Sequence, residues 1–207
     1  MNLIKIGTLE YDLCKWKSAK FLGIILDEHL SWKPHCVNLI SKLNSCCYQI
    51  RVLRSVLNTQ LILSFYHAHI ESVISYGICF WGSGSMLNDI FIVQKRIVRC
   101  IAGIDNRTSC REYFYQYNLL TVFGLYTLKL LELIHSNTLK FHTNSDFHSY
   151  NTRSKNKLSI PLHHLALLNK SHLVFGLKLY NNLDEKFKNI NSIHLFRKNI
   201  KKKLLKI

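Results

Sequence analysis

Apolar side chains recur along this chain with two rhythms. Near the N-terminus they form short runs, Leu3–Ile6, Leu9–Leu13 and Ala19–Leu26, punctuated by Gly7 and Asp12. This predicts a hairpin plus one further strand. Further on, Cys36, Leu39, Leu43, Cys46, Ile50, Leu53 and Leu57 follow one another at three- and four-residue steps, which aligns them along one face of a helix. Ser31 is the expected N-cap, and Pro34 falls in the first turn, where its missing N–H costs little. Lys42, Gln49 and Arg54 lie off the stripe. Such a seam serves either packing inside a bundle or a coiled-coil dimer.

Thr59 can cap a second helix through Leu61, Phe65, Ile70, Ile74 and Ile78, apolar around most of its circumference, as expected of a central bundle helix. The segment Leu61–Trp81 is long enough to raise a membrane span, but His67, His69, Glu71 and several serines interrupt it, which favours a helix buried in protein. After Gly82-Ser-Gly-Ser85, with Ser85 as cap, a third helix is predicted over Leu87–Ile101, ending near Gly103. A short aromatic helix, Cys110–Tyr117, and a longer one, Val122–Phe141, follow. Asn144–Ser159 has little periodicity and reads as a loop or linker. Helices near Leu173–Asn181 and from Ser192 close the chain, the last with Ile193, Phe196, Ile200 and Leu204 on one face. The expected fold is mainly α: a helical bundle with a small N-terminal β-hairpin or strand element and a basic C-terminal helical subdomain. The divisions are 1–30, 31–143, 144–160 and 161–207.

Charge changes this picture from packing to partners. The 207 residues carry 28 Lys plus Arg against 12 Asp plus Glu, a net charge of +16. An excess of that size points to a polyanion, nucleic acid before an anionic membrane. Residues 150–207 hold 13 basic and 2 acidic side chains (+11), and residues 1–149 hold 15 and 10 (+5). The seven cysteines are an odd number, and Met-Asn-Leu-Ile-Lys is not the start of a secretory signal. Reduced thiols in an intracellular protein, nuclear or cytoplasmic, are therefore expected. Lys198–Lys206 reads either as a localisation patch or as a solvated helix face.

Candidate chemistry is sparse. Two-metal polymerisation needs paired aspartates, and no Asp-Asp occurs. Tyr11-Asp12 and Leu26-Asp27-Glu28 are the nearest candidates and read better as turn or capping acids. No Cys-x2-Cys pair accompanies His67-x-His69 or His163-His164, so neither reads as a zinc site. The features that remain are cationic. Lys95, Arg96 and Arg99 lie within about one helical turn and can meet successive phosphates. Tyr150-Asn-Thr-Arg-Ser-Lys-Asn-Lys157 presents Arg153, Lys155 and Lys157 among hydroxyl and amide donors. A solvated helix face and a charged surface loop are the alternatives.

Lys20-Phe-Leu-Gly-Ile-Ile-Leu-Asp-Glu-His-Leu-Ser-Trp-Lys-Pro-His35 resembles the KFLG…D…LSW…H signature that follows the catalytic motifs in reverse transcriptases of LINE-type, jockey-like non-LTR retrotransposons. Ile70-Glu-Ser-Val-Ile-Ser-Tyr-Gly-Ile-Cys-Phe-Trp-Gly82 resembles that family's YG…WG segment, and Val93-Gln-Lys-Arg-Ile-Val-Arg-Cys-Ile-Ala-Gly103 its QKR helix. His148-Ser-Tyr-Asn-Thr-Arg153 resembles its H…YNTR element, and Lys178-Leu-Tyr-Asn-Asn-Leu183 its K-L-(aromatic)-N-x-L. Asp184 stands where the family usually has proline.

The resemblance implies a fragment comprising the end of the palm, the thumb and the region beyond, beginning after the active site. Residues 1–30 would be a primer-grip-like β element in which Lys20, Phe21, Leu22 and Gly23 approach a nucleic-acid strand, and residues 31–143 a thumb-like bundle. The family's activity is RNA-directed DNA polymerisation. This chain by itself would hold no cofactor, magnesium belonging to the absent Asp-Asp palm, and would not be catalytic. The expected partners are RNA, DNA or an RNA–DNA hybrid, without a membrane. A homodimer or interaction module, docking onto a separately encoded polymerase part, is the alternative from another class. A partial gene model of an active enzyme is a third.

Overall fold

A computed structural model describes residues 3–6, 9–12, 17–147, 149–150, 152–161, 168 and 171–206. The chain is mainly helical with small N-terminal antiparallel hairpins, and it divides into two compact units. Unit 1 comprises Met1–Gly77 and Gly84–Thr108; unit 2 comprises Ile78–Ser83 and Ser109–Ile207. Gly7, Leu13, Cys14, His148, Asn151, His163 and His164 lie outside the described residues.

In unit 1, β1 (Leu3–Ile6) pairs with β2 (Leu9–Asp12), Leu3 opposite Asp12. The stretch expected as one strand, Ala19–Leu26, is instead a second hairpin, β3 (Ser18–Phe21) with β4 (Ile24–Asp27), Phe21 opposite Ile24. Its two-residue turn puts Leu22 at φ 45° and Gly23 at φ 84°. Positive φ at both central positions is the type I′ pattern, whose twist matches that of the strands it joins. Glycine takes this conformation freely, whereas leucine there is strained. The Tyr76 hydroxyl donates to the Leu22 carbonyl and holds the turn.

Helix α1 (Lys33–Leu53) starts at Trp32, which is left-handed at φ 63° and provides no side-chain cap. Ser31 is therefore not the N-cap. The Asp27 carboxylate supplies the acceptors, taking Ser31 N at 3.0 Å and Trp32 N at 2.9 Å. Cys36, Leu39, Leu43, Cys47 and Ile50 are buried, whereas Cys46 is half-buried and Leu57 lies beyond the helix end. This stripe packs on α5 (Leu87–Ala102) within unit 1, so the seam is occupied internally rather than free for a dimer.

Asn58, not Thr59, caps α2 (Thr59–Tyr66), accepting from Leu61 N at 3.0 Å. The helix then widens into a π segment, His67–Glu71, and runs on through α3 (Ser72–Ser75). It buries one stripe, Ile62, Tyr66, Ile70 and Ile74, while Leu61 and Tyr76 are exposed. The expected single helix to Ile78 breaks at Gly77, φ 61°. Helix α5 begins after Met86, with no cap from Ser85, and ends at Gly103, φ 73°.

Unit 2 contains α4 (Ile78–Trp81), α6 (Arg111–Gln116), α7 (Val122–Ser136), α8 (His172–Asn181), α9 (Glu185–Lys188) and α10 (Ile193–Leu204). Thr121 caps α7 through Gly124 N, and Ser171 caps α8 through Val174 N. Helix α7 ends at Ser136, earlier than expected. A separate 3-10 turn, Thr138–Lys140, follows it. Helix α7 packs against α4, α8 and α10. Trp81, Leu130, Ile134, Leu177, Phe196 and Ile200 are in its core. His135 stacks on Phe196 and bonds to the Tyr180 hydroxyl and the Ile190 carbonyl. No helix among the described residues is long and apolar enough to cross a membrane.

Candidate nucleic-acid interface

Helices α1 and α5 of unit 1 both reach their C-terminal turns at one open cleft of about 580 Å³. Arg51 and Arg54 line it from α1, Arg99 and Cys100 from α5, and Gly103, Ile104, Asp105 and Asn106 complete the wall. Arg54 lies so close to Gly103 that a Cβ there would strike its guanidinium. Arg99 Nε donates to the Thr108 carbonyl at 2.9 Å, which fixes the arginine at the rim. Arg51 and Cys100 face the same cleft wall, close enough to interact electrostatically.

Cations at helix C-termini have an ordinary role, offsetting the negative end of the helix dipole. Magnitudes decide whether that role accounts for this cleft. Two helix ends contribute roughly −0.5 each and Asp105 contributes −1, against +3 from the arginines, leaving about one positive charge over. That excess matches a phosphodiester better than a free nucleoside triphosphate.

The residues expected at the interface separate in space. Of the α5 cations, Arg99 joins the cleft. Arg96 is exposed beside α1, donating to Asn44 Oδ1 at 3.2 Å, and Lys95 Nζ sits 4.7 Å from the centre of the Phe91 ring. Lys20, Phe21, Leu22 and Gly23 form the exposed hairpin tip, with Leu22 73% exposed. Strand β4 meets the start of α1, where Ile25 N donates to His35 Nδ1 at 3.4 Å. The hairpin and the arginine cleft thus belong to opposite ends of α1, whose residues 35 and 51 are about 25 Å apart along the helix at 1.5 Å per residue.

Arg153, Lys155 and Lys157 lie in unit 2 on a loop closed at its base. Thr143 bridges Leu158, and Asn144 N and Ser145 N donate to the Lys157 and Lys155 carbonyls, each at 3.0 Å. Asn181 clamps the loop end, its amide bonding both the N–H and the carbonyl of Leu158 at 2.9 Å. Asp184 precedes α9 and binds Lys203 Nζ at 3.0 Å. That hydrogen bond and charge hold its carboxyl below the usual range.

Arg51 and Arg54 are not singled out by the periodicity of α1, which marks only its buried stripe. The signal available was two arginines three residues apart in its last turn. Other candidates have local roles. Asp27 is committed to the two amides before α1. Those bonds outweigh the effect of desolvation and leave its carboxyl below the ordinary range. His67 contacts Glu71, and His69 packs on Phe65. Among the described residues, no three His, Cys, Asp or Glu side chains gather to hold a metal. No protein-family model, curated protein or solved structure matches the chain.

Proposed function

We propose that this chain is a non-catalytic nucleic-acid grip that binds the sugar–phosphate backbone of RNA, DNA or their hybrid without reading sequence. The observation that carries this reading is the cleft where Arg51, Arg54 and Arg99 converge from two helix ends. The net charge of +16 supports it by favouring long-range attraction to any polyanion. The ordered resemblance to the end of the palm, thumb and following region of a LINE-type reverse transcriptase supports the same class of ligand. Magnesium and polymerisation belong, in this reading, to a palm that the chain does not include.

The spacing within unit 1 adds a length requirement. At about 3.4 Å of duplex axis per base pair, a nucleic acid laid along α1 from the arginine cleft to its hairpin end covers roughly seven base pairs. The test is binding of purified protein to a labelled RNA–DNA hybrid across a salt series, beside primer extension with magnesium and nucleotides. Steeply salt-dependent binding without extension is the expected result. Absence of binding at low salt overturns the reading, and extension overturns its non-catalytic part. The interaction-module alternative loses its α1 seam, which is buried inside unit 1.

A further inference from the structure

Cys47 and Cys100 come from different helices, 53 residues apart in the chain, and place their sulfur atoms 3.7 Å from each other. Among the described residues this is the one thiol–thiol contact, and Cys36, Cys46, Cys79 and Cys110 are free thiols elsewhere. The two partners differ in access. Cys47 is 3% exposed in the α1–α5 packing, whereas Cys100 is half-buried and opens onto the arginine cleft beside Arg51.

We propose that Cys47 and Cys100 are a disulfide-forming site driven by hydroperoxides, with Cys100 as the peroxidatic sulfur and Cys47 as the resolving one. The Cys100 thiolate attacks a peroxide oxygen. The O–O bond breaks, Cys100 becomes a sulfenic acid, and the departing oxyanion takes a proton to leave as water or an alcohol. The Cys47 sulfur then attacks the Cys100 sulfur. The S–O bond breaks, and hydroxide leaves with the Cys47 proton as water. Two thiols are oxidised by two electrons and one peroxide is reduced by two.

The division of labour follows from surroundings. Burial, and next the adjacent Cys100 sulfur, push the Cys47 thiol up to about 11, so it stays protonated while Cys100 meets the oxidant. Bond formation needs the sulfurs to close from 3.7 Å to about 2.05 Å. The bond would staple α1 to α5 at the cleft wall. This assignment stands independently of nucleic-acid binding.

The test is peptide mapping of the full chain, reduced, desalted, treated with stepwise hydrogen peroxide and alkylated. The expected product is a Cys47–Cys100 linked peptide, reversed by thiol reductant, while Cys36, Cys46, Cys79 and Cys110 remain alkylated. In Cys47→Ser, Cys100 should be trapped by a sulfenic-acid reagent; in Cys100→Ser, Cys47 should stay unmodified. Alkylation of both cysteines in the peroxide-treated native chain, or cross-linking to other thiols instead, overturns the proposal. Labelling of Cys47 rather than Cys100 overturns the assigned order.

Discussion

In unit 2 several cations close on carboxylates, although among the described residues Arg153, Lys155 and Lys157 do not. Arg197 makes a two-point contact with Glu132, Lys129 reaches the same carboxylate at 3.1 Å, Lys188 meets Glu185 at 2.8 Å, and Lys203 meets Asp184 at 3.0 Å. In unit 1 the arginines meet a thiol, an amide and a carbonyl instead. Among the described residues no carboxylate lies at ion-pair distance from Arg51, Arg54, Arg96 or Arg99. The C-terminal quarter holds the larger net charge, but part of that charge is committed to structure. Positive charge marks a polyanion site where it both lacks an internal counter-charge and converges, and the arginines of unit 1 meet both conditions at one cleft.

The sharpest way to break this comparison is to neutralise each cluster in turn. Replacing Arg51, Arg54 and Arg99 together by glutamine should weaken hybrid binding by about 100-fold or more at low salt and flatten the salt dependence by two to three phosphate contacts. Neutralising Arg153, Lys155 and Lys157 should cost about tenfold or less. Equal losses in the two variants, measured by fluorescence anisotropy, would remove the distinction between the units.

A second variant tests the claim that unit 2 spends its charge on folding. Glu132 is 8% exposed and receives both Arg197 and Lys129. Glu132→Ala should destabilise unit 2 by about 2 kcal/mol, less than a fully buried pair because the Arg197 side chain is half exposed. Amide exchange should accelerate in α7 and α10 while α1 and α5 keep their protection.

Acid acts on both units through shielded imidazoles, His35 buried and His172 half-buried. Burial holds His35 of unit 1 and His172 of unit 2 below the ordinary value of 6.5, and the Lys42 charge adds to the effect at His35. The unfolded chain therefore binds protons near pH 6.5 that the folded chain refuses. Stability falls as pH drops through that value and levels off below the folded-state pKa values. Urea midpoints should be lower at pH 5.5 than at pH 7.5. His35→Gln should reduce that drop.

The smallest expected effect lies in the hairpin. Leu22 occupies a positive-φ turn position at 73% exposure, so Leu22→Asn should stabilise the β3–β4 hairpin by about 0.5 kcal/mol, relieving strain without losing packing. A rise in melting temperature of a few degrees or less checks it. A fall would mean that the exposed leucine has a packing role.

Much of the helical architecture was legible because periodicity records burial directly. Cys36, Leu39, Leu43 and Ile50 were identifiable from spacing alone, as were Phe196 and Ile200. Turns were less legible. Leu22-Gly23 lacks the Asn-Gly pair that usually signals a I′ turn, and the helix break at Gly77 follows a π segment that spacing does not encode. Several motif residues proved to serve the fold. Gln94 is fully buried and donates to the Tyr66 hydroxyl at 2.8 Å, and Asn181 clamps Leu158. The cleft was invisible in linear order because Arg51 and Arg54 meet Arg99 only through the α1–α5 packing. Net charge by segment pointed towards the C-terminus, since composition does not show which lysines have carboxylate partners.

The most direct measurement is amide hydrogen exchange of the whole chain with and without a saturating RNA–DNA hybrid of about 20 base pairs. The account predicts new protection in residues 51–54 and 99–108, with little change over 142–158. Protection confined to unit 2, with the arginine cleft exchanging as freely as before, would contradict it.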